Sequence, residues 1–377
     1  MRRIVAVVVV GLAPLVVTGV LRAQQAAAPA TAALSVPPAG LSWAYGIAPG
    51  APLPGAAPAA GAAGRGAGGA GAPAAGAGGG GARAGAPAPD PTPLSVPGST
   101  LTFTRAQVTG GNGVGPADWF PQDHPPMPDV VARGRDTVRA CSLCHYPNGK
   151  GRAENAGVAG LPVAYFIQQL QDFKNDLRKS AEPRKGNTNA MATIAKGMTP
   201  EEMQQTAEYF GSMKWTPWIK VQEVAMVPKT RIQGGLYLKL EGNETEPIAG
   251  RIIEVPEFTE RTEITRDPRA GFIAYAPVGS VKKGETLAVS GGNGKTVACA
   301  TCHGTGLNGL GPVPGLSGRS PSYLARQMYD MQAGARHGVW TDLMKPVVAK
   351  LTQDDMLNIV AYLASIKPAA QTTTSSR

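Results

Sequence analysis

The stretch Cys141-Ser142-Leu143-Cys144-His145 occurs a second time as Cys299-Ala300-Thr301-Cys302-His303, and the two copies use every cysteine of the chain. In a C-x-x-C-H pattern the two thiols lie one helical turn apart. Both can therefore add to the vinyl groups of one haem, and the next residue presents an imidazole to the iron. A zinc site would need four soft ligands gathered in one place, and a C-x-x-C redox site gives no role to the adjacent histidine. Two copies predict two covalently bound haems c.

Both motifs belong to a longer internal repeat. Adding 158 to the residue number carries the first motif onto the second, Tyr165 onto Tyr323 and Arg178 onto Arg336. Beyond that helix the second copy is five residues shorter, and an offset of 153 applies. It carries Met191, Thr199, Met203 and Tyr209 onto Met344, Thr352, Met356 and Tyr362. The repeat predicts two homologous haem modules, at residues 129–215 and 281–367.

A sixth iron ligand is expected in each module, because methionine opposite histidine is typical of electron-transfer haems and favours ferrous iron. Of the methionines that follow the first motif, Met191 alone recurs outside the last helix of the repeat, as Met344. Each lies eight residues before a helix start, marked by Thr199 and Thr352 with an acidic residue three positions on. The pattern predicts both methionines in the loop before the last helix, as iron ligands. Apolar filling of the core is the alternative.

The amino-terminal third has a different composition. Residues 1–23 place two arginines before an apolar run and predict a signal peptide, with a retained membrane anchor as the alternative. Export fits the motifs, because bacteria attach haem c outside the cytoplasm. Residues 24–93 are almost entirely Ala, Gly and Pro and predict a disordered tether, since such a segment buries too little apolar surface to offset the entropy of ordering. Residues 94–128 are predicted to be an extension draped over the first module.

The segment between the modules, residues 216–280, loses the helical period. It contains three β-leaning stretches separated by Gly, Pro and charged residues, at 231–240, 251–255 and 271–276. An irregular, partly β connector is expected there, and residues 368–377 form a tail. The predicted fold class is mainly α, with two helical haem domains.

At this point the residues resemble tandem dihaem cytochromes c built from two class I cytochrome c folds. The resemblance rests on the motif pair, the tyrosine-bearing middle helices and the patterns MATIAKGMTPEEMQQTAEYF and MKPVVAKLTQDDMLNIVAYL, and it covers residues 129–215 and 290–367. It implies haems cupped by helices, with His145 and His303 proximal and Met191 and Met344 distal.

In that family a proline carbonyl usually orients the proximal histidine, a contact that tunes the metal. Pro314 matches this position in the second module, whereas the first module has Ala156. The resemblance therefore predicts the support in one module and leaves it open in the other. Arg178 and Arg336 recur at a helix end and are candidates for pairing with haem propionates, solvated cations being the alternative.

The formal charge of +10 falls to +7 when Arg2, Arg3 and Arg22 leave with the signal peptide. A basic exported cytochrome suits weak, steered docking on redox proteins with an acidic surface. Nucleic acid is not expected as a partner, and membrane association is expected only if the apolar N-terminal segment is retained.

The sequence thus predicts an exported, periplasmic dihaem cytochrome that transfers single electrons, as a soluble shuttle or as the cytochrome subunit of a dehydrogenase. The alternative is a dihaem enzyme, such as a peroxidase or a sulfur-compound oxidase, with one open or displaceable haem site. No acid-base pair flanks either motif, and no spare histidine or cysteine recurs.

Overall fold

The computed structural model describes residues 39–48, 51, 90–110 and 115–368. The predicted signal peptide, most of the predicted tether and residues 369–377 lie outside these ranges. Among the described residues, no helix combines the length and the apolarity needed to cross a membrane.

The described helices, in chain order, are α1 Ser42–Tyr45, α2 Arg105–Thr109, α3 Asp129–Ala132, α4 Cys141–His145, α5 Val163–Lys174, α6 Gly186–Gly197, α7 Pro200–Gly211, α8 Thr259–Glu263, α9 Ser280–Ser290, α10 Ala300–His303, α11 Pro321–Gln332, α12 Thr341–Val348 and α13 Gln353–Ser365. Short 3-10 turns cover Ala39–Leu41, Pro121–Asp123 and Thr305–Leu307. The described chain is mainly helical, as predicted.

The strands are β1 Gly134–Arg135, β2 Val138–Arg139, β3 Ile219–Glu223, β4 Met226–Pro228, β5 Thr230–Gln233, β6 Leu236–Lys239, β7 Thr245–Pro247, β8 Ile253–Pro256, β9 Phe272–Ala276, β10 Gly309–Leu310 and β11 Val313–Pro314. The central sheet has the order β3-β9-β8, with β3 parallel and β8 antiparallel to β9. The pairs β1/β2, β4/β7, β5/β6 and β10/β11 are antiparallel. The three stretches predicted as strand contain β5 with β6, β8 and β9.

The repeat is visible in the order of the helices, because α4 to α7 correspond to α10 to α13. The last helix of each copy begins with the predicted cap. Thr199 accepts a hydrogen bond from the backbone N–H of Glu202, whose side chain accepts from the N–H of Thr199, and Thr352 and Asp355 repeat this arrangement. Each copy packs its helices around its own apolar cluster.

The connector is packed into both modules. Trp218 and Phe272 belong to the apolar cluster of the first module, while Ile252 and Ala276 belong to that of the second. A further small cluster, which includes Val227, lies within the connector itself. Burying apolar side chains on both sides gives the connector a fixed position between the modules.

Two local predictions were wrong in the haem modules. The sequence of residues 130–140 predicts a helix that leads into the first haem motif. The helix ends at Ala132 instead, because Gly134 and Asp136 adopt positive φ values of 66° and 41° and the chain turns into the β1/β2 hairpin. Met191 and Met344 lie inside the helices α6 and α12 rather than in a loop. α6 contains residues of low helix propensity, among them Asn187, Thr188 and Asn189, so its packing against α5 and not its local sequence accounts for the helix.

The prediction of a disordered tether is wrong for residues 40–48. These residues, which we call the strap, include α1 and bury Leu41, Trp43 and Tyr45 in the apolar cluster of the second module. Two aromatic side chains and a leucine supply enough apolar surface to order a short segment. Averaging them with the surrounding Ala, Gly and Pro concealed them.

Candidate haem sites

The first cavity lies between α4, α5 and α6. His145 and Met191 both line it, together with apolar side chains of α5 that include Phe166 and Leu170. The thiols of Cys141 and Cys144 are not part of the lining. Cys141 instead packs against the apolar cluster, and its thiol donates weakly to the carbonyl of Val130 at 3.5 Å.

The second cavity lies between α10, α11 and α12. His303 and Met344 line it, and so do both cysteines of the motif, Cys299 and Cys302. The walls are mostly apolar, which suits a porphyrin ring. Each predicted histidine therefore shares one cavity with the methionine that the repeat assigned to it.

Both motif histidines are oriented by a backbone carbonyl. Nδ1 of His145 lies 2.8 Å from the carbonyl oxygen of Ala156, and Nδ1 of His303 lies 2.7 Å from that of Pro314. A carbonyl only accepts, so Nδ1 carries the proton and Nε2 remains available for a metal. The carbonyl contact that the resemblance left open in the first module is therefore present at Ala156. The hydrogen bond needs only a backbone carbonyl and not a proline ring.

Burial fixes the protonation of these groups. Desolvation lowers the pKa of His145 and of His303, which favours the neutral imidazole that binds metals. Desolvation also raises the pKa of the Cys141 thiol to about 12 and that of Cys299 to about 11.

The two cavities share a wall. Four side chains line both of them, two from the first module and two from the second: Leu161, Tyr165, Tyr323 and Gln327. A cofactor in one cavity would thus be separated from a cofactor in the other by a single layer of side chains.

A symmetric cluster of three pairs joins the two cavities. Arg178 donates to Gln169 at 2.9 Å, to Gln327 at 2.8 Å and to the hydroxyl of Tyr323 at 3.2 Å. Arg336 donates to Gln327 at 2.9 Å, to Gln169 at 2.7 Å and to the hydroxyl of Tyr165 at 3.0 Å. We call these six residues the arginine cluster.

The backbone holds the two arginines beside each other. They face one another across an isolated antiparallel bridge, and the N–H groups of Lys179 and His337 donate to the carbonyls of Ala335 and Leu177, both at 2.9 Å. Both side chains are buried, with 9% and 5% of their surface exposed. The alternative of solvated cations at a helix end is therefore wrong.

Sequence reasoning named the arginines and tyrosines of this cluster but missed Gln169 and Gln327. The signal was present, because the offset of 158 carries one glutamine onto the other. What the repeat could not show is that each glutamine accepts from the arginine of the other module as well as from that of its own.

The buried arginines at this interface have neutral partners. Arg178 and Arg336 bond to amides and phenols, while Arg319 and Arg326 donate to backbone carbonyls. Within the described ranges, none of the four has a carboxylate oxygen within the 4.0 Å of an ion pair. Buried charges are normally paired, and Nε of Arg336, which lines the second cavity, has no partner in the described chain. The site thus fits haem, whose propionates would supply the missing anions.

The remaining two histidines lie away from both cavities. His124 bonds to Asp118 at 3.1 Å and to the carbonyl of Pro125 at 2.8 Å. His337 is exposed and lies 3.1 Å from the carbonyl of Gly334.

Two cavities that each bring the histidine of a C-x-x-C-H motif together with a methionine define a c-type cytochrome with two haem sites. The family model described as cytochrome c matches residues 131–214. Cytochrome c4 of Pseudomonas aeruginosa is 34% identical over 241 residues, which is 63% of this chain and 88% of that relative. Cytochrome c-554(548) of Halomonas halodenitrificans is 37% identical over 75 residues, 20% of this chain and 90% of the relative.

The thiosulfate dehydrogenase electron acceptor of Thiomonas intermedia is 24% identical over 242 residues, 63% of this chain and 82% of the relative. With these matches, the chain belongs to the tandem class I cytochromes c, the family that includes the dihaem cytochromes c4. It carries two covalently bound haems c and transfers electrons to and from redox proteins.

Proposed function

We propose that the chain relays single electrons between its two haems, one in each cavity. Haem 1 is bound through Cys141 and Cys144 and ligated by His145 and Met191. Haem 2 is bound through Cys299 and Cys302 and ligated by His303 and Met344. Haem iron supplies the one-electron chemistry, while the chain's own residues fix its ligands, its charge environment and its distance from the second haem.

The shared wall is the observation that carries this proposal. Four side chains line both cavities, and the arginine cluster lies at the same junction. Arg178 lines the first cavity and Arg336 the second, so each guanidinium would be available to the propionates of a haem in its own cavity. Charge-assisted hydrogen bonds to guanidinium hold carboxylates more firmly than neutral ones do. Two haems held in these cavities would be separated by one layer of side chains, which suits electron exchange between them.

The helix that bears each methionine also supports the proposal. Met191 lies near the middle of α6, and Met344 lies near the middle of α12. Each thioether faces the cavity of its own histidine, on an element separate from the motif helix. Methionine ligation at both irons would leave no open coordination position, which favours an electron carrier over the dihaem enzyme.

We further propose that the protein is exported and receives electrons from a periplasmic dehydrogenase. The names of two relatives support this role: the thiosulfate dehydrogenase electron acceptor and the cytochrome subunit of sulfide dehydrogenase of Chlorobaculum tepidum, 32% identical over 107 residues. A net charge of +10, or +7 without the first arginines, suits a partner with an acidic docking surface.

The test is the weak far-red absorption band of methionine-ligated ferric haem, scaled to the haem content of the same sample. The wild-type protein is expected to show the intensity of two such haems, and Met191→Ala and Met344→Ala are each expected to remove half. Met203→Leu is the matched control, because Met203 is a buried methionine of the last helix outside both cavities. Half or no intensity in the wild type would show that at least one iron lacks a methionine ligand. That result would favour the alternative of a dihaem enzyme with an open haem site.

A further inference from the structure

The strap, residues 40–48, contacts three parts of the molecule through its carbonyl oxygens. The carbonyl of Trp43 accepts from the hydroxyl of Tyr237 in the connector at 3.2 Å. That of Ala44 accepts from Arg326 in the second module at 2.6 Å, and that of Tyr45 accepts from Lys185 in the first module at 3.1 Å. Three consecutive carbonyls are thus each bound by a different part of the chain.

Three residues that bond to the strap also line the first cavity. They are Lys185, Arg326 and Asp330, and the last accepts a hydrogen bond of 2.8 Å from the hydroxyl of Tyr45. All three are buried, with at most 5% of their surface exposed. The strap therefore forms the outer layer of a charged section of this wall, and desolvation there lowers the pKa of Lys185 well below its usual value.

Arg326 and Asp330 lie on α11 of the second module, and their counterparts in the repeat lie on α5 of the first module. The offset of 158 places Gln168 and Asp172 at the positions of Arg326 and Asp330. There the amide of Gln168 donates to the carboxylate of Asp172 at 2.8 Å, so the two side chains satisfy each other. The strap bonds to charged side chains that line the first cavity, while its apolar side chains pack into the apolar cluster of the second module.

One glycine determines whether the strap can occupy its observed position. Gly46 has a φ of 60°, and a Cβ at this position would overlap the backbone carbonyl of Gly235 in the turn between β5 and β6. Any larger residue is therefore incompatible with the seated strap, both in backbone conformation and in space.

We propose that the strap covers the haem-1 cavity, keeps water from its charged wall and thereby raises the reduction potential of haem 1 alone. Ferric haem carries one more positive charge than ferrous haem. Lys185 and Arg326 share this wall with Asp330 and Glu154, so the expected shift comes from desolvation and not from a net positive charge. A dry wall disfavours the additional charge of the ferric state, and water admitted there would stabilise that charge. This inference rests on the placement of haem 1 between His145 and Met191 that is proposed above.

The test compares the holoproteins of wild type, Gly46→Ala and Tyr45→Phe, with Ala48→Ser as the matched control at an exposed strap position. The acetylation rate of Lys185 by an amine-acylating reagent is measured by peptide mass spectrometry, with exposed Lys283 as internal reference. The potentials of both haems are measured by spectroelectrochemistry and assigned with the Met191→Ala and Met344→Ala proteins. Gly46→Ala is expected to accelerate the acetylation of Lys185 and to lower the haem-1 potential, leaving haem 2 unchanged. Tyr45→Phe should do the same to a smaller extent.

An unchanged acetylation rate of Lys185 in Gly46→Ala would contradict the proposal that the strap covers the haem-1 cavity. So would faster acetylation with no change at haem 1, or an equal shift of both haems, which indicates general loosening. These results are distinct from a failure of the proposed ligation, because that failure appears in the far-red band of the wild type. The acetylation rate does not depend on which residues ligate the iron.

Discussion

The two haem sites share one plan and differ in what surrounds them. Each has a motif histidine held by a backbone carbonyl and a methionine on a separate helix. Three charged side chains that line the first cavity bond to the strap, whereas the second cavity lies beside exposed apolar side chains. Val297 and Leu343, which line it, have 43% and 69% of their surface exposed, and Cys302 is exposed as well.

Comparing the two sites distinguishes the residues that ligate the iron from those that affect the access of water and partners to the haem. The shared features come from residues that the repeat preserves, and they determine which atoms reach the iron. The differences come from the strap, which lies outside the repeat, and from exposed side chains within the second module, Val297 and Leu343. We expect them to affect how closely water and protein partners approach each haem. We expect exchange with partners to occur at haem 2, where apolar side chains that line the cavity are exposed.

The largest expected effect comes from removing either distal methionine. Met191→Ala and Met344→Ala should each lower the potential of one haem by on the order of 0.1 V or more, because axial ligands set haem potentials over about 0.8 V. Covalent attachment should persist, since the cysteines are intact. Spectroelectrochemistry on the two variants measures this.

Each variant should leave the other haem near its wild-type potential. If both potentials change in both variants, the two haem sites are not independent. The conclusion that each methionine sets the potential of one haem would then be wrong. If neither moves, Met191 and Met344 are apolar filling of the core.

The next effect comes from the arginine cluster. Arg178→Gln should lower the potential of haem 1 most, and Arg336→Gln that of haem 2, because each removes a buried cation from the wall of one cavity. The expected shifts are smaller than those from methionine loss. Lys283→Gln is the control, since it removes the same charge from an exposed position.

The dependence on salt concentration distinguishes a potential shift caused by the arginine cluster from one caused by surface charges. The effect of a surface charge is screened as ionic strength rises, whereas that of a buried arginine should persist. Shifts from Arg178→Gln and Arg336→Gln that match the Lys283→Gln shift, or that vanish in high salt, would contradict propionate pairing by the cluster.

A smaller effect is expected at the helix caps, where the modules should behave alike. Thr199→Ala and Thr352→Ala each remove the side-chain acceptor of a capping box and should each cost about 1 kcal/mol in the free energy of unfolding. Denaturant unfolding followed by circular dichroism measures it. Thr286→Ala is the control, because Thr286 is exposed and lies within α9.

The caps also carry a pH dependence. Burial alone would raise the pKa values of Glu202 and Asp355, but hydrogen bonds from Arg135 and Lys295 together with the caps lower both. A carboxyl group with a depressed pKa in the folded state stabilises the fold above its unfolded pKa, and this contribution is lost as the pH falls through the folded pKa. The cost of Thr352→Ala should therefore shrink in acid, and a cost that grows there would contradict the role of Asp355.

The features that sequence predicted well are local or repeated. The motif spacing predicted the haem chemistry, and Thr199 and Thr352 marked the starts of two helices. The repeat selected Met191 and Met344, which line the same cavities as the motif histidines. Each of these depends on residues within a few turns of chain, or on a comparison of the chain with itself.

The features that sequence missed are contacts between distant segments. The strap packs Tyr45 against Asp330, which lies 285 residues further along the chain, and β3 pairs in parallel with β9 across most of the connector. The surrounding composition concealed the strap, and short β-leaning stretches do not specify their partners. The same limit explains Gln169 and Gln327, whose repetition was visible although their partners were not.

The smallest expected effect tests the carbonyl support of the proximal histidines. Pro314→Ala should leave the haem-2 potential nearly unchanged, because the carbonyl that accepts from Nδ1 of His303 remains in place, as the carbonyl of Ala156 does beside His145. Stability should fall by about 0.4–1 kcal/mol, since alanine gives the unfolded chain more freedom than proline. Thermal unfolding and spectroelectrochemistry of the holoprotein measure the two quantities.

The result bears directly on why two modules with different residues at this position share one geometry. If the backbone carbonyl is sufficient, Pro314→Ala makes the second site resemble the first without moving its potential. A shift as large as that of Arg336→Gln would show that the proline ring itself holds the carbonyl in place. The first module would then need another support for Ala156, and its hydrogen-bonded neighbour Asn155, which donates to the carbonyl of Cys144 at 3.2 Å, is where we would look for it.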